Sequence, residues 1–176
     1  MEFLQNVWVV QGTGALALAF IVLAWNARLR KNIFILQSIN LILFIIHYVL
    51  LSAYAGAAMC AVVLGRNLVF MQKGEKGWAS HSAWFYFFTI FAISLLIIFW
   101  NGWVTLLPVG AVIVSMYAMW NDEPARMRFY MLLSCLIWIP YTIIVQSYPG
   151  FLSQIVGIVG ILLGMYRLDW SKDGAK

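Results

Sequence analysis

Asn40, Phe44 and His47 stand at i, i+4, i+7 in the run FILQSINLILFIIHYVLLS, residues 34–52, with Gln37 one turn before them. That spacing puts an amide, a ring and an imidazole on one helical face. The run is long and apolar enough to cross a bilayer, where an unpaired amide costs on the order of 2–7 kcal/mol, depending on the reference state. Something must therefore face the stripe. At an offset of 94 residues, Ser134, Trp138 and Tyr141 repeat the spacing. An aromatic plate flanked by amide and hydroxyl groups suits binding of a small polar or heterocyclic solute. His47 is a candidate proton carrier, but no acid stands beside it, and a structural imidazole is the simpler expectation.

Other residues extend this set. Asn67 and Gln154, in the third and last apolar runs, are secondary lining candidates. Pro108 and Pro140 interrupt the backbone ladder of their runs and read as hinges or as static kinks. Arg66 is the cationic side chain set deepest inside an apolar run, four to five residues from its cytoplasmic end. It is expected to snorkel to the nearby interface; a gate, or a contact for an anionic solute, is the alternative. For each polar member of the stripes the plain alternative is interhelical hydrogen bonding, on average ~0.6 kcal/mol a bond. For Trp138 the alternative is packing.

Catalysis is a poor fit. The chain has no H-E-x-x-H, no G-x-S-x-G, no Walker sequence and no paired carboxylates, so no catalytic residue and no enzyme is expected. Cys60 and Cys135 lie in apolar runs without metal-ligand spacing, so free thiols are expected, with no metal and no cofactor.

The elements that position these residues follow from composition. Of 176 residues, 64% are hydrophobic and 10% charged, too few charges to cover a water-soluble domain. The chain is read as an integral membrane protein, with the bilayer as its main partner. The formal charge of +5 sits in short connections between apolar runs, which points to topology and away from nucleic acid. Seven spans are placed near 6–25, 33–52, 54–71, 81–100, 102–120, 127–146 and 149–167. They must be helices, because backbone groups in lipid are satisfied within the segment. The first is expected to be retained, since Glu2 precedes it and basic residues follow it.

Arg28, Arg30 and Lys31 follow span one, Lys73 and Lys76 span three, Arg126 and Arg128 span five, and Arg167, Lys172 and Lys176 mark the end of span seven and the tail. The alternate connections carry no Lys or Arg, so the N-terminus is expected outside and the C-terminus in the cytoplasm. Eight of the nine tryptophans fall near span ends, as an interfacial belt requires; Trp138 is mid-span.

The chain also repeats. NVWVV at Asn6 returns as NGWVT at Asn101, and Trp25–Asn26 returns as Trp120–Asn121, an offset of 95. Tyr54-x-Gly56 then meets Tyr148-x-Gly150 at 94. The expected fold is an all-α membrane protein of seven transmembrane helices, two parallel three-helix repeats joined by a linker helix. The units are residues 1–71, a cytoplasmic loop and linker helix over 72–100, residues 101–168, and a tail over 169–176. Solute sites of repeat-built transporters lie near mid-membrane at the repeat interface.

This three-plus-one-plus-three plan resembles the SWEET and PQ-loop superfamily, which PnuC vitamin transporters also approximate. More closely, LQSINLILFIIHYVLLSAYAGAAMCAVVLGRNLVF and the overall length resemble the YgjV-type bacterial inner-membrane family. The resemblance spans nearly the whole chain and implies a small-solute carrier in the bacterial inner membrane, with its pathway between the units. The Pro-Gln dipeptide that names the PQ-loop group is missing. Thr13 aligns with Pro108 at the offset of 95, so a paired proline hinge does not carry over to the first unit. No Asp or Glu falls within a span, which favours facilitated diffusion over ion coupling. The other expectation is a non-transporting sensor, assembly factor or partner-binding subunit. Seven spans supply a complete pathway, so a homodimer is compatible with the sequence but not required.

Overall fold

The computed structural model describes residues 7–26, 30–73, 76–121 and 123–166, apart from the side chains of 24–34 and 124. The expectations resting on Glu2, Trp25, Arg28, Arg30, Lys31, Arg167, Trp170, Lys172 and Lys176 lie outside what is described. Seven helices follow one another: α1 (Val7–Asn26), α2 (Arg30–Leu50), α3 (Tyr54–Phe70), α4 (Ala83–Ile98), α5 (Leu106–Trp120), α6 (Pro124–Ile144) and α7 (Tyr148–Met165). Among the described residues there is no strand.

Three stretches, Trp103–Trp120, Ala125–Ile144 and Tyr148–Met165, are long and apolar enough to cross a membrane; the other four helices have shorter apolar stretches. α3 has 17 residues and α4 has 16. At 1.5 Å per residue they span roughly 24–26 Å, short of the ~30 Å hydrocarbon layer. Such a shortfall is met by local thinning of the bilayer or by flanking residues reaching to the interface.

The helix ends account for the prolines. Pro149 sits in the first turn of α7, where the chain has no amide to satisfy. Pro108 also falls in a first turn, because a short 3-10 turn, Trp103–Thr105, precedes α5. Its missing N–H costs little there, so the ladder interruption expected at Pro108 falls at a helix start. Pro140 does lie inside α6.

Six helices pack in a closed circuit: α1 on α2, α2 on α3, α3 on α5, α5 on α6, α6 on α7, and α7 back on α1. α4 lies outside this circuit, against α3 and α5. There Phe88 and Ala92 close a core with Met59, Val62, Phe70, Val109, Val112 and Met116. Lys73 at the end of α3 donates to the Trp120 carbonyl at 2.8 Å, and so caps the C-terminus of α5.

Hydrogen bonds recur between the two halves of the chain at a fixed offset. Asn40 Nδ2 donates to the Ala17 carbonyl at 2.7 Å, and Ser134 Oγ to the Ala111 carbonyl at 2.8 Å. Both donors and both acceptors are 94 residues apart, which puts Gly14, not Thr13, opposite Pro108. The turns match as well. Ala53 N–H bonds the Tyr48 carbonyl and Ser52 N–H that of Val49; Ser147 N–H bonds Thr142 and Gln146 N–H bonds Ile143. Each is a Schellman closure with a left-handed residue, Ser52 and Gln146 both at φ 55°.

Two ties then cross the circuit. His47, fully buried on α2, places Nδ1 2.8 Å from the Val10 carbonyl and Nε2 2.8 Å from Ser147 Oγ. A carbonyl only accepts, so Nδ1 carries the hydrogen and Ser147 donates to Nε2. Ser147 Oγ in turn accepts from Gly150 N–H at the start of α7. Across the molecule Tyr141, on α6, accepts from Gly56 N–H at 2.8 Å at the start of α3. His47 and Tyr141 are 94 apart, as are Gly56 and Gly150. A Cβ on Gly14 would come within 2.9 Å of the His47 ring, and one on Gly56 within 2.7 Å of the Tyr141 hydroxyl, so both approaches need glycine.

Two outcomes follow. His47→Ala removes both cross-links and opens a void, although the Val10 carbonyl keeps its bond from Thr13 and Ser147 keeps that from Gly150; melting in detergent should fall by the equivalent of about 2–4 kcal/mol. Gln146→Gly relieves a left-handed non-glycine residue and should raise the melting temperature by roughly 1 kcal/mol worth of stability.

Candidate functional site

Inside the circuit, between α2 and α6, lies a cavity of about 220 Å³. Asn40, Phe44 and Tyr48 of α2 line one wall, and Ser134, Cys135 and Trp138 of α6 the opposite one. α3 adds Cys60 and Arg66, α5 adds Ser115, and α7 adds Ser153, Gln154 and Gly157. The volume is below the ~300–1,000 Å³ usual for drug-sized ligands and suits a small solute.

The structure thus brings together five of the residues the sequence singled out for binding: Asn40, Phe44, Ser134, Trp138 and Gln154. It takes three elsewhere. His47 turns away from the cavity into its bonds with α1 and α7. Asn67 lines a separate apolar groove with Ile35, Ile39 and Ile42. Tyr141 lines a wider pocket of about 590 Å³ at the end of the bundle where the connections lack Lys and Arg. That pocket is walled by the α2–α3 turn, the approach to α5 and the end of α6. Asn40 and Ser134 serve twice, since each also fastens its helix to a neighbour.

Aromatic rings separate the two spaces. Phe44 stacks on Tyr48 at 5.9 Å between centroids, Tyr48 on Trp138 at 6.2 Å, and Trp138 meets Tyr141 edge-on at 5.5 Å. Tyr48 and Trp138 face the inner cavity and Tyr141 the outer pocket, so the cluster forms a partition. Such pairs contribute about 0.5–1.5 kcal/mol each beyond area burial.

Arg66 does not snorkel. It is 4% exposed and points inward. Nη1 donates to Ser115 Oγ at 2.9 Å, while Nη2 and Nε donate to Asn67 Oδ1 at 3.0 and 3.3 Å. The reason is register: Met59, Val62, Arg66 and Phe70 form one buried face of α3, so Arg66 stands where α3 packs on α5. Ser115 accepts from Arg66 and gives its own proton to the Val112 carbonyl at 2.8 Å.

Tyr48, Cys60, Ser115 and Ser153 were missed as lining residues. Ser115 had a readable signal as the one hydroxyl-bearing serine or threonine of α5. Tyr48 follows Phe44 by four residues, so the cavity face continues through it and not through His47. Nothing in the sequence marks Cys60 or Ser153. The two thiols are unpaired. Among the described residues no group of His, Cys, Asp and Glu is placed to hold a metal.

No curated protein and no solved structure matches the chain. A family model described as a bacterial inner membrane protein matches residues 8–172. The chain therefore belongs to the YgjV family of bacterial inner membrane proteins.

Proposed function

We propose that the protein is a small-solute carrier of the inner membrane, built from two parallel three-helix units, α1–α3 and α5–α7, with α4 as the linker. The observation that carries this reading is the cavity between α2 and α6, lined from six helices and carrying amide, hydroxyl and aromatic groups. Transporter sites lie at such repeat interfaces. The recurrence of side-chain bonds, turns and cross-circuit ties at one offset supports the two-unit plan. The N-terminus is outside and the C-terminus cytoplasmic, so the 590 Å³ pocket faces outward.

In the carrier reading this conformer is closed toward the outer pocket by the ring partition and by the His47 and Tyr141 ties. Rocking of one unit against the other breaks those ties and exposes the cavity to the other side. The described helices contain no Asp or Glu to carry a coupling ion, so transport runs down the solute gradient. The substrate is a small polar or heterocyclic metabolite that uses the Trp138 face and the Asn40, Ser134 and Gln154 polar groups.

Purified chain in proteoliposomes, offered sugars, nucleosides, vitamins and organic acids, should show saturable uptake of at least one class. Gln154→Leu should raise the half-saturating concentration about tenfold, the effect of one lost hydrogen bond to solute. Passage of nothing by a monodisperse preparation would turn the assignment to a sensor, assembly factor or partner-binding subunit.

A further inference from the structure

Arg66 is a cation buried in a helical bundle, and its partners are neutral oxygens. A guanidinium stays charged, carries five N–H donors, and is costly to bury without a counter-charge. Three of those donors are engaged, so Nη1 and Nη2 each keep one. Of the chain's six acidic residues only Glu123 lies among the described ones, and its ion pair is with Arg126 at 2.7 Å. The counter-charge is therefore not supplied by any described side chain.

A second observation points to the same space. Ser153 Oγ, on α7, is buried without a hydrogen-bond partner, and Ser153 lines the same cavity as Arg66. Buried hydroxyls are nearly always bonded, so an orphan at a cavity wall marks a place for a ligand atom. The cation also has no twin. At the offset that relates the other paired groups, Arg66 corresponds to Gly160 and Ser115 to Ile21. The repeat thus supplies one positive group to the cavity.

We propose that the central cavity binds a small oxyanion, a carboxylate or phosphate, through the two free guanidinium N–H groups of Arg66, with Ser153 as an added partner. The paired forks of an arginine and an oxyanion suit bidentate bonding. The cavity holds roughly seven waters' worth of space at ~30 Å³ each, room for a small organic acid. This deepens the carrier reading by fixing the charge class of the solute, and it is tested by binding rather than flux.

Cys60 and Cys135 line the cavity and serve as native reporters. Full-length protein in nanodiscs of zwitterionic lipid would be treated with a small maleimide, with modification read by mass spectrometry. Benzoate, pyruvate and inorganic phosphate would be compared with benzamide. At least one anion should slow thiol modification about tenfold and raise the melting temperature, while benzamide does neither. Arg66→Gln should abolish this protection; Arg66→Lys, which keeps the charge, should retain part of it. Should Arg66→Gln fail to fold, Ser153→Ala in the same assay should weaken protection several-fold. Protection appearing only when phosphatidylglycerol is added supports the same oxyanion site with a lipid phosphate as its occupant. Equal protection by benzamide, protection unaffected by Arg66→Gln, or no protection by any anion or anionic lipid overturns the proposal. Anion binding without flux defeats the carrier reading alone; flux of an uncharged solute that survives Arg66→Gln defeats this inference alone.

Discussion

Within a hydrocarbon layer, a polar group that finds no partner inside the bundle finds none at all. That constraint organises the molecule. Asn40 and Ser134 give their hydrogens to carbonyls of neighbouring helices, His47 bridges α1 and α7, and Tyr141 reaches the first turn of α3. Each tie satisfies an otherwise stranded group, and together they set which helices are neighbours. The cavity is what remains between α2 and α6 once those neighbours are fixed.

The correspondence between the two halves holds where geometry does the work and lapses where chemistry would. Turns and helix-to-carbonyl bonds recur at the same offset. The side chains making the cross-ties do not: an imidazole bonded to a serine on one side answers to a phenol bonded to a backbone amide on the other. The furthest departure is Arg66 against Gly160, a full charge against a hydrogen atom.

Much of this was legible in the sequence because it is periodic. The i, i+4, i+7 stripes placed Asn40 with Phe44 and Ser134 with Trp138, and the structure seats all four on one cavity. Periodicity fixes a face only to within about a residue, which is why His47 and Tyr141 were grouped with the cavity and Tyr48 was not. Arg66 was misjudged for a different reason. Its distance from the helix end was readable, but which face of α3 packs on α5 is a tertiary fact, and that decided its direction. Pro108 was expected to interrupt the ladder of its run because a 3-10 turn ahead of α5 carries no distinct composition.

The two junctions between the halves are unequal, and this has a mechanical consequence. Where α3 meets α5 the seam is stitched by Arg66 to Ser115 and by Lys73 to Trp120, then backed by α4 and its phenylalanines. Where α1 meets α7 no other described helix stands behind the contact, and Gly14 meets Pro149 directly. A bundle so constructed has one edge backed by a further helix and one held only by its own ties, through His47 to Val10 and Ser147 and from Gln11 to the Gln146 carbonyl. Under the proposed carrier reading, α4 would be the spine of the book and the α1–α7 side the edge at which its covers open.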